Sequence, residues 1–158
     1  MSADLSGLLR ELLAGQVEFV LVGGLAAVAQ GAPVTTFDVD IVHHRSEENV
    51  DRLLSVLSRL HAYVREPANR RLAPSRSALM GPGHNLLVTD LGPLDCLGAI
   101  ERGLGYEQLR AQSVELELRG QVLRVAPLAT LVALKEQWTD EESKLRAAIL
   151  RRSLKDQG

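Results

Sequence analysis

The segment Thr35–Val42, TTFDVDIV, constrains the fold more than any other stretch of this chain. Val39, Ile41 and Val42 suit a strand inside a sheet, yet Asp38 and Asp40 interrupt them two residues apart. Side chains alternate along a strand, so the two acids share one face. Carboxylates this close repel at neutral pH, and a buried charge is costly without a partner. The segment therefore predicts either a strand edge open to solvent or a site that supplies a cation.

The remaining chain predicts the elements around that strand. Leu5, Leu8, Leu9, Leu12 and Leu13 recur at helical spacing and stop at Gly15. Val17–Val22 reads as a short strand halted by Gly23-Gly24, and LAAVAQG as a short helix closed at Gly31. After the second strand, His43 and His44 lead out to Ser46, which suits an N-cap. Glu47 and Glu48 follow in the first turn, and Val50, Leu53, Leu54, Leu57 and Leu60 line one helix face. The pattern dissolves from Tyr63 to Gly83, where a long loop is expected, with at most a turn of helix or a short hairpin.

NLLVTD and GPLDCLG read as two strands with a turn at Asp90–Pro93. AIERGLGYEQLRAQ has weak helical character, and SVELELRGQVLRVAP reads as a hairpin turning at Arg119–Gln121. Pro127 opens a largely apolar helix through Leu131 and Leu134, and Thr139 suits the N-cap of a last amphipathic helix. The order predicts an α/β (α+β) fold, a small mixed β-sheet flanked by helices. At 158 residues it is expected to be a single domain, 1–158, with 127–158 as a C-terminal helical extension.

With 46% hydrophobic and 24% charged residues and a net charge of −2, the composition is that of a globular chain without a global nucleic-acid or membrane signal. The single Cys96 excludes an internal disulfide and, with Asp4, Arg10 and Glu11 interrupting the first apolar pattern, favours the cytoplasm over secretion. Adjacent His43 and His44 point apart on a strand and lack a second ligand pair, which argues against zinc. Neither Ser75 nor Ser77 lies in a Gly-x-Ser-x-Gly elbow. Cys96 reads as a small core filler.

Three features bear on chemistry. Asp38 and Asp40 offer hard oxygen ligands to a divalent cation. Asp95, flanked by Leu94, Cys96 and Leu97, is a third acid on a later strand and meets the first two if those strands pair; capping the turn after Gly92-Pro93 is its alternative role. Gly23-Gly24, where a strand passes into a helix, permits close backbone approach, as a phosphate needs and as any tight turn does. Lys135, directly after the apolar run Leu131–Leu134, either snorkels from a helix face or serves a site. Arg65, Arg70, Arg71 and Arg76 form a local basic cluster, either solvated or steering an anionic substrate.

In this order, strand, Gly23-Gly24, short helix, Thr36-x-Asp38-x-Asp40 and a lone Asp95, the chain resembles the nucleotidyltransferase superfamily over about Val17 to Leu97. The compact bacterial group that includes nucleotidyltransferase toxins of toxin–antitoxin pairs is similar. The resemblance implies transfer of a nucleoside monophosphate from an NTP, ATP among them, to an acceptor hydroxyl on RNA, protein or a small molecule, releasing pyrophosphate. It implies Mg²⁺ (or Mn²⁺) as cofactor, bound by Asp38, Asp40 and Asp95, with Asp95 also helping to activate the acceptor. Gly23, Gly24, Thr36 and Lys135 would take the nucleotide side. Val34 stands where that group often has an arginine. The alternative is a non-catalytic nucleotide-binding or protein-interaction module of the same fold, working with a protein partner or as a homodimer. Hydrolysis at the same metals is a further possibility.

Overall fold

The computed structural model describes residues 3–67, 70–136 and 141–157, with the side chains of 135, 136, 141–144, 146, 147, 156 and 157 outside that description. The first helix, α1 (Leu5–Ala14), starts where the Asp4 carboxylate accepts the Gly7 N–H at 2.8 Å. It buries Leu8, Leu9 and Leu12. Strand β1 (Phe19–Val22) leads straight into α2 (Gly23–Ala29), whose first residues are the glycine pair itself.

Strand β2 is Val39–His43, shorter at its start than the expected Thr35–Val42. The Thr36 hydroxyl donates to the Asp38 carbonyl at 3.3 Å, and this local bond turns the backbone before the ladder begins. His43 closes β2 rather than leaving it, and is fully buried, its Nε2–H donating to the Leu79 carbonyl at 2.7 Å. Helix α3 (Glu47–Arg59) begins as expected, with Ser46 Oγ accepting the Asn49 N–H.

The stretch expected to be a long loop contains strand β3 (Tyr63–Val64) and helix α4 (Arg76–Met80), the latter capped by Ser75. Strands β4 (His84–Thr89) and β5 (Gly92–Leu97) form a hairpin around Asp90-Leu91. The weakly helical segment holds a short 3₁₀ turn and α5 (Tyr106–Gln112). Strands β6 (Val114–Leu118) and β7 (Gln121–Val125) form the expected hairpin; Arg119 and Gly120 both have positive φ, as its two-residue turn requires. Helices α6 (Leu128–Glu136) and α7 (Glu141–Gln157) pack on each other. Thr139, the expected cap of α7, lies outside the described residues.

Among the described residues the seven strands make one mixed sheet in the order β3-β4-β5-β2-β1-β7-β6. Its centre runs antiparallel from β1 to β2 and parallel from β2 to β5. On β2 and β5, Val39, Ile41, Leu94 and Cys96 are fully buried on one face, the side on which α1 packs against β2 and α3. Alternation turns Asp40 and Asp95 to the opposite face, where α2 lies against β1, β2 and α6. The sheet thus has a closed apolar side and a side that holds the acids.

Candidate active site

Because β2 and β5 are parallel and in register, Asp40 stands directly opposite Asp95. Asp38, one bend before β2, turns its carboxylate to the same place. One oxygen from each of Asp38, Asp40 and Asp95 lies within 4.8 Å of the others, and all three residues are half-buried. The register that satisfies the apolar face therefore also assembles the three acids. The expectation that Asp95 meets the pair is realised, and its alternative of capping the turn after Pro93 is not, since it sits inside β5.

The glycine pair has a local reason. Val22 of β1 is paired with Asp40, so the next residue, Gly23, passes beside the Asp40 side chain. Gly23 has φ +72°, and a Cβ there would collide with the Asp40 carboxylate. Glycine at this position keeps both the turn into α2 and the room for Asp40.

A cavity of about 210 Å³ opens next to the acids. Gly23, Gly24, Asp40, Asp95 and Glu101 supply its polar lining, and Leu86, Leu97, Leu131, Leu134 and Leu150 line its apolar wall. Helices α6 and α7 thus cover the acid-bearing face. Thr36 is spent on the bend before Asp38. Lys135 follows the cavity-lining Leu134 in α6, but its side chain lies outside the described residues.

Asp95 also has a partner absent from the sequence reading of the acids. Arg65 Nη2 donates to Asp95 Oδ1 at 2.7 Å and to the Leu87 carbonyl at 3.1 Å. The other arginines of that cluster behave differently: Arg71 stacks over Tyr63, Arg76 pairs with Asp51, and Arg70 is exposed. His44, by contrast with buried His43, stacks on Tyr106 and lies 3.2 Å from both Glu18 and Glu107, away from the acids. Cys96 is sealed in the opposite face, and its burial pushes the thiol pKa up.

Three clustered carboxylates form a hard-oxygen donor set that suits Mg²⁺ or Mn²⁺. The residues present therefore fit a divalent cation, with the glycine turn and a cavity beside it.

No protein-family model matches the chain, and no curated protein matches its sequence. Solved structures do share its fold. A Thermotoga maritima protein provisionally assigned as a nucleotidyltransferase is 20% identical, with a TM-score of 0.54, covering 95% of this chain and 89% of its own. The antibiotic-resistance factor ANT(2'')-Ia, known from its solution structure, is 16% identical, with a TM-score of 0.52, over 96% of this chain and 91% of its own. The fold of this chain, a seven-stranded mixed sheet with helices on it, is nucleotidyltransferase-like.

Proposed function

We propose that the chain is a metal-dependent nucleotidyltransferase that moves a nucleoside monophosphate from an NTP to an acceptor hydroxyl and releases pyrophosphate. The observation that carries this reading is the convergence of Asp38, Asp40 and Asp95 within 4.8 Å on a nucleotidyltransferase-like sheet. Residues 1–158 act as one domain in this reading, with 127–158 as its helical extension; Leu131, Leu134 and Leu150 lining the same cavity as Asp40 and Asp95 support it.

Asp38, Asp40 and Asp95 would hold Mg²⁺ or Mn²⁺. Bound there, such ions neutralise triphosphate charge and lower the pKa of an acceptor hydroxyl. The residues of the chain do the rest. Gly23 and Gly24 leave the backbone bare where phosphate oxygens approach, and Thr36 fixes the bend that aims Asp38. Asp95, which lines the cavity together with Asp40, would help to activate the acceptor hydroxyl. Lys135 is assigned to the nucleotide side by the resemblance alone.

Calorimetric titration of each NTP, ATP included, with Mg²⁺ and with EDTA tests the reading without knowledge of the acceptor. Metal-dependent binding that disappears in Asp38→Asn/Asp40→Asn is expected. Absence of NTP binding by the wild type at millimolar concentration would sink it.

A further inference from the structure

Arg65 reaches the acids from an edge of the sheet, although it lies in a segment that reads as irregular. Its position follows from register. The Arg65 N–H donates to the Leu86 carbonyl at 2.8 Å, Leu86 stands opposite Asp95, Asp95 opposite Asp40, and Asp40 opposite Val22. A transverse row thus crosses five neighbouring chain segments and places Arg65 two strand spacings, about 10 Å, from the Asp95 backbone. An extended arginine passing over Leu86 closes that gap.

The contact is specific. The guanidinium meets Asp95 Oδ1 at 2.7 Å, and a second bond to the Leu87 carbonyl fixes its plane. The Asp95 side chain is only 15% exposed and that of Arg65 32%, so solvent screens the pair incompletely. An arginine is permanently charged, so this is a fixed positive charge on a carboxylate of the acidic cluster. A divalent cation arriving at the same carboxylate meets repulsion from that charge and competes for Oδ1.

We propose that Arg65 is a resident cation of the site. It holds Asp95 when no metal is bound, and it weakens divalent-ion binding at Asp95, so that uptake of metal there requires the guanidinium to share or release the carboxylate. This rests on the reading of Asp38, Asp40 and Asp95 as metal ligands. It differs from a purely structural role for Arg65, in which its removal would loosen Asp95 and weaken metal binding.

The sign of the change in metal affinity decides between the two. Mn²⁺ binding to the full chain is measured by the loss of the free-ion electron paramagnetic resonance signal, in the wild type, Arg65→Gln, Arg65→Lys and Asp38→Asn/Asp40→Asn. Arg65→Gln is expected to bind Mn²⁺ about tenfold more tightly than the wild type. Arg65→Lys, which keeps the charge but not the reach and planar shape of the guanidinium, is expected to fall between them and carries the same comparison if the glutamine variant does not fold. Arg65→Gln is also expected to melt below the wild type without metal, with Mn²⁺ narrowing the difference. Equal or weaker Mn²⁺ binding in both Arg65 variants overturns the proposal. If the wild type binds and Asp38→Asn/Asp40→Asn does not, while the Arg65 variants are unchanged, only the role of Arg65 fails. If neither the wild type nor any Arg65 variant binds Mn²⁺, the metal site and the resident cation fail together.

Discussion

Gly23 lies so close to Asp40 that a single added methyl group would occupy the space of the carboxylate. The two residues come together because Val22, the residue before Gly23, is the ladder partner of Asp40. Gly23→Ala should therefore act twice, through its positive φ and through the collision, at a combined cost of about 2–4 kcal/mol. Gly120→Ala is the control, because Gly120 also has positive φ (+83°) but open space around it. Its expected cost is about 1–2 kcal/mol, from the backbone alone. Urea denaturation of the two variants checks the difference, and Mn²⁺ titration should show weakened binding in Gly23→Ala alone.

Asp95 joins the cluster to Arg65, so Asp95→Asn should be read in two assays. Asparagine keeps an oxygen for the 2.7 Å bond from Arg65 but loses the ion-pair charge, while easing repulsion with Asp38 and Asp40. Stability without metal should therefore shift by no more than about 1 kcal/mol. The rise in melting temperature that saturating Mn²⁺ gives the wild type should shrink or vanish in the variant. Thermal scans with Mn²⁺ and with EDTA read both effects. An unchanged Mn²⁺ response would remove Asp95 from the ligand set.

Asn49 is a structural anchor outside the acid cluster. It is fully buried, accepts the Glu18 N–H at 2.7 Å and donates to the Glu18 and His44 carbonyls at 2.9 and 2.8 Å. One side chain thus ties the entry of β1 to the exit of β2. Asn49→Ala takes this partner from the Glu18 N–H and the His44 carbonyl, while the Glu18 carbonyl keeps the His44 N–H at 3.0 Å, and should cost about 2–3 kcal/mol, readable as a lower urea midpoint. Asn49→Asp should not rescue it, since a carboxylate cannot donate to the two carbonyls.

His43 should make stability depend on pH. Burial is the main cause that lowers its pKa from 6.5, opposed by the bond to Leu79 and assisted by the nearby Arg45 and His44 charges. Between its folded pKa and 6.5 the unfolded chain takes a proton that the folded chain refuses. Stability is therefore full above about pH 6.5 and falls as pH drops below it, at up to about 1.4 kcal/mol per pH unit from this one group. His43→Gln keeps a donor for the Leu79 carbonyl and loses the titration. Urea denaturation from pH 7.5 to 5 should show a shallower decline in the variant. Equal slopes would mean that His43 is not protonated on unfolding in this range.

The periodic elements were legible because local pattern and tertiary burial agreed. Leu8 and Leu12 of α1 and Val50, Leu53 and Leu57 of α3 fall on buried faces as their spacing predicts. The acids were legible for a different reason: apolar neighbours around Asp40 and Asp95 mark strands that carry a charge inward. Arg65 was not legible as their neighbour. Its place depends on the pairing of a two-residue strand, Tyr63–Val64, with β4, and a pairing that short leaves almost no periodicity to read. The start of β2 was misplaced because Thr35 and Thr36 favour strands by composition, whereas the Thr36 hydroxyl bonds locally and bends the chain. The apolar cavity wall was hidden for a third reason. Leu131 and Leu150 look like ordinary helix-core positions until α6 and α7 are laid over the sheet.

The in-register pairing of β2 with β5 also has a consequence for mutational tolerance. Sliding β5 by one residue would send Asp95 into the layer under α1 and bring Leu94 or Cys96 out to face Asp40. Such a slip would put a carboxylate among buried leucines and valines, so it is rejected on folding grounds before any chemistry is lost. A deletion scan through residues 92–97 should accordingly find no soluble variant with a displaced acid triad: in that strand, the cell's quality control over folding already screens for the geometry of the site.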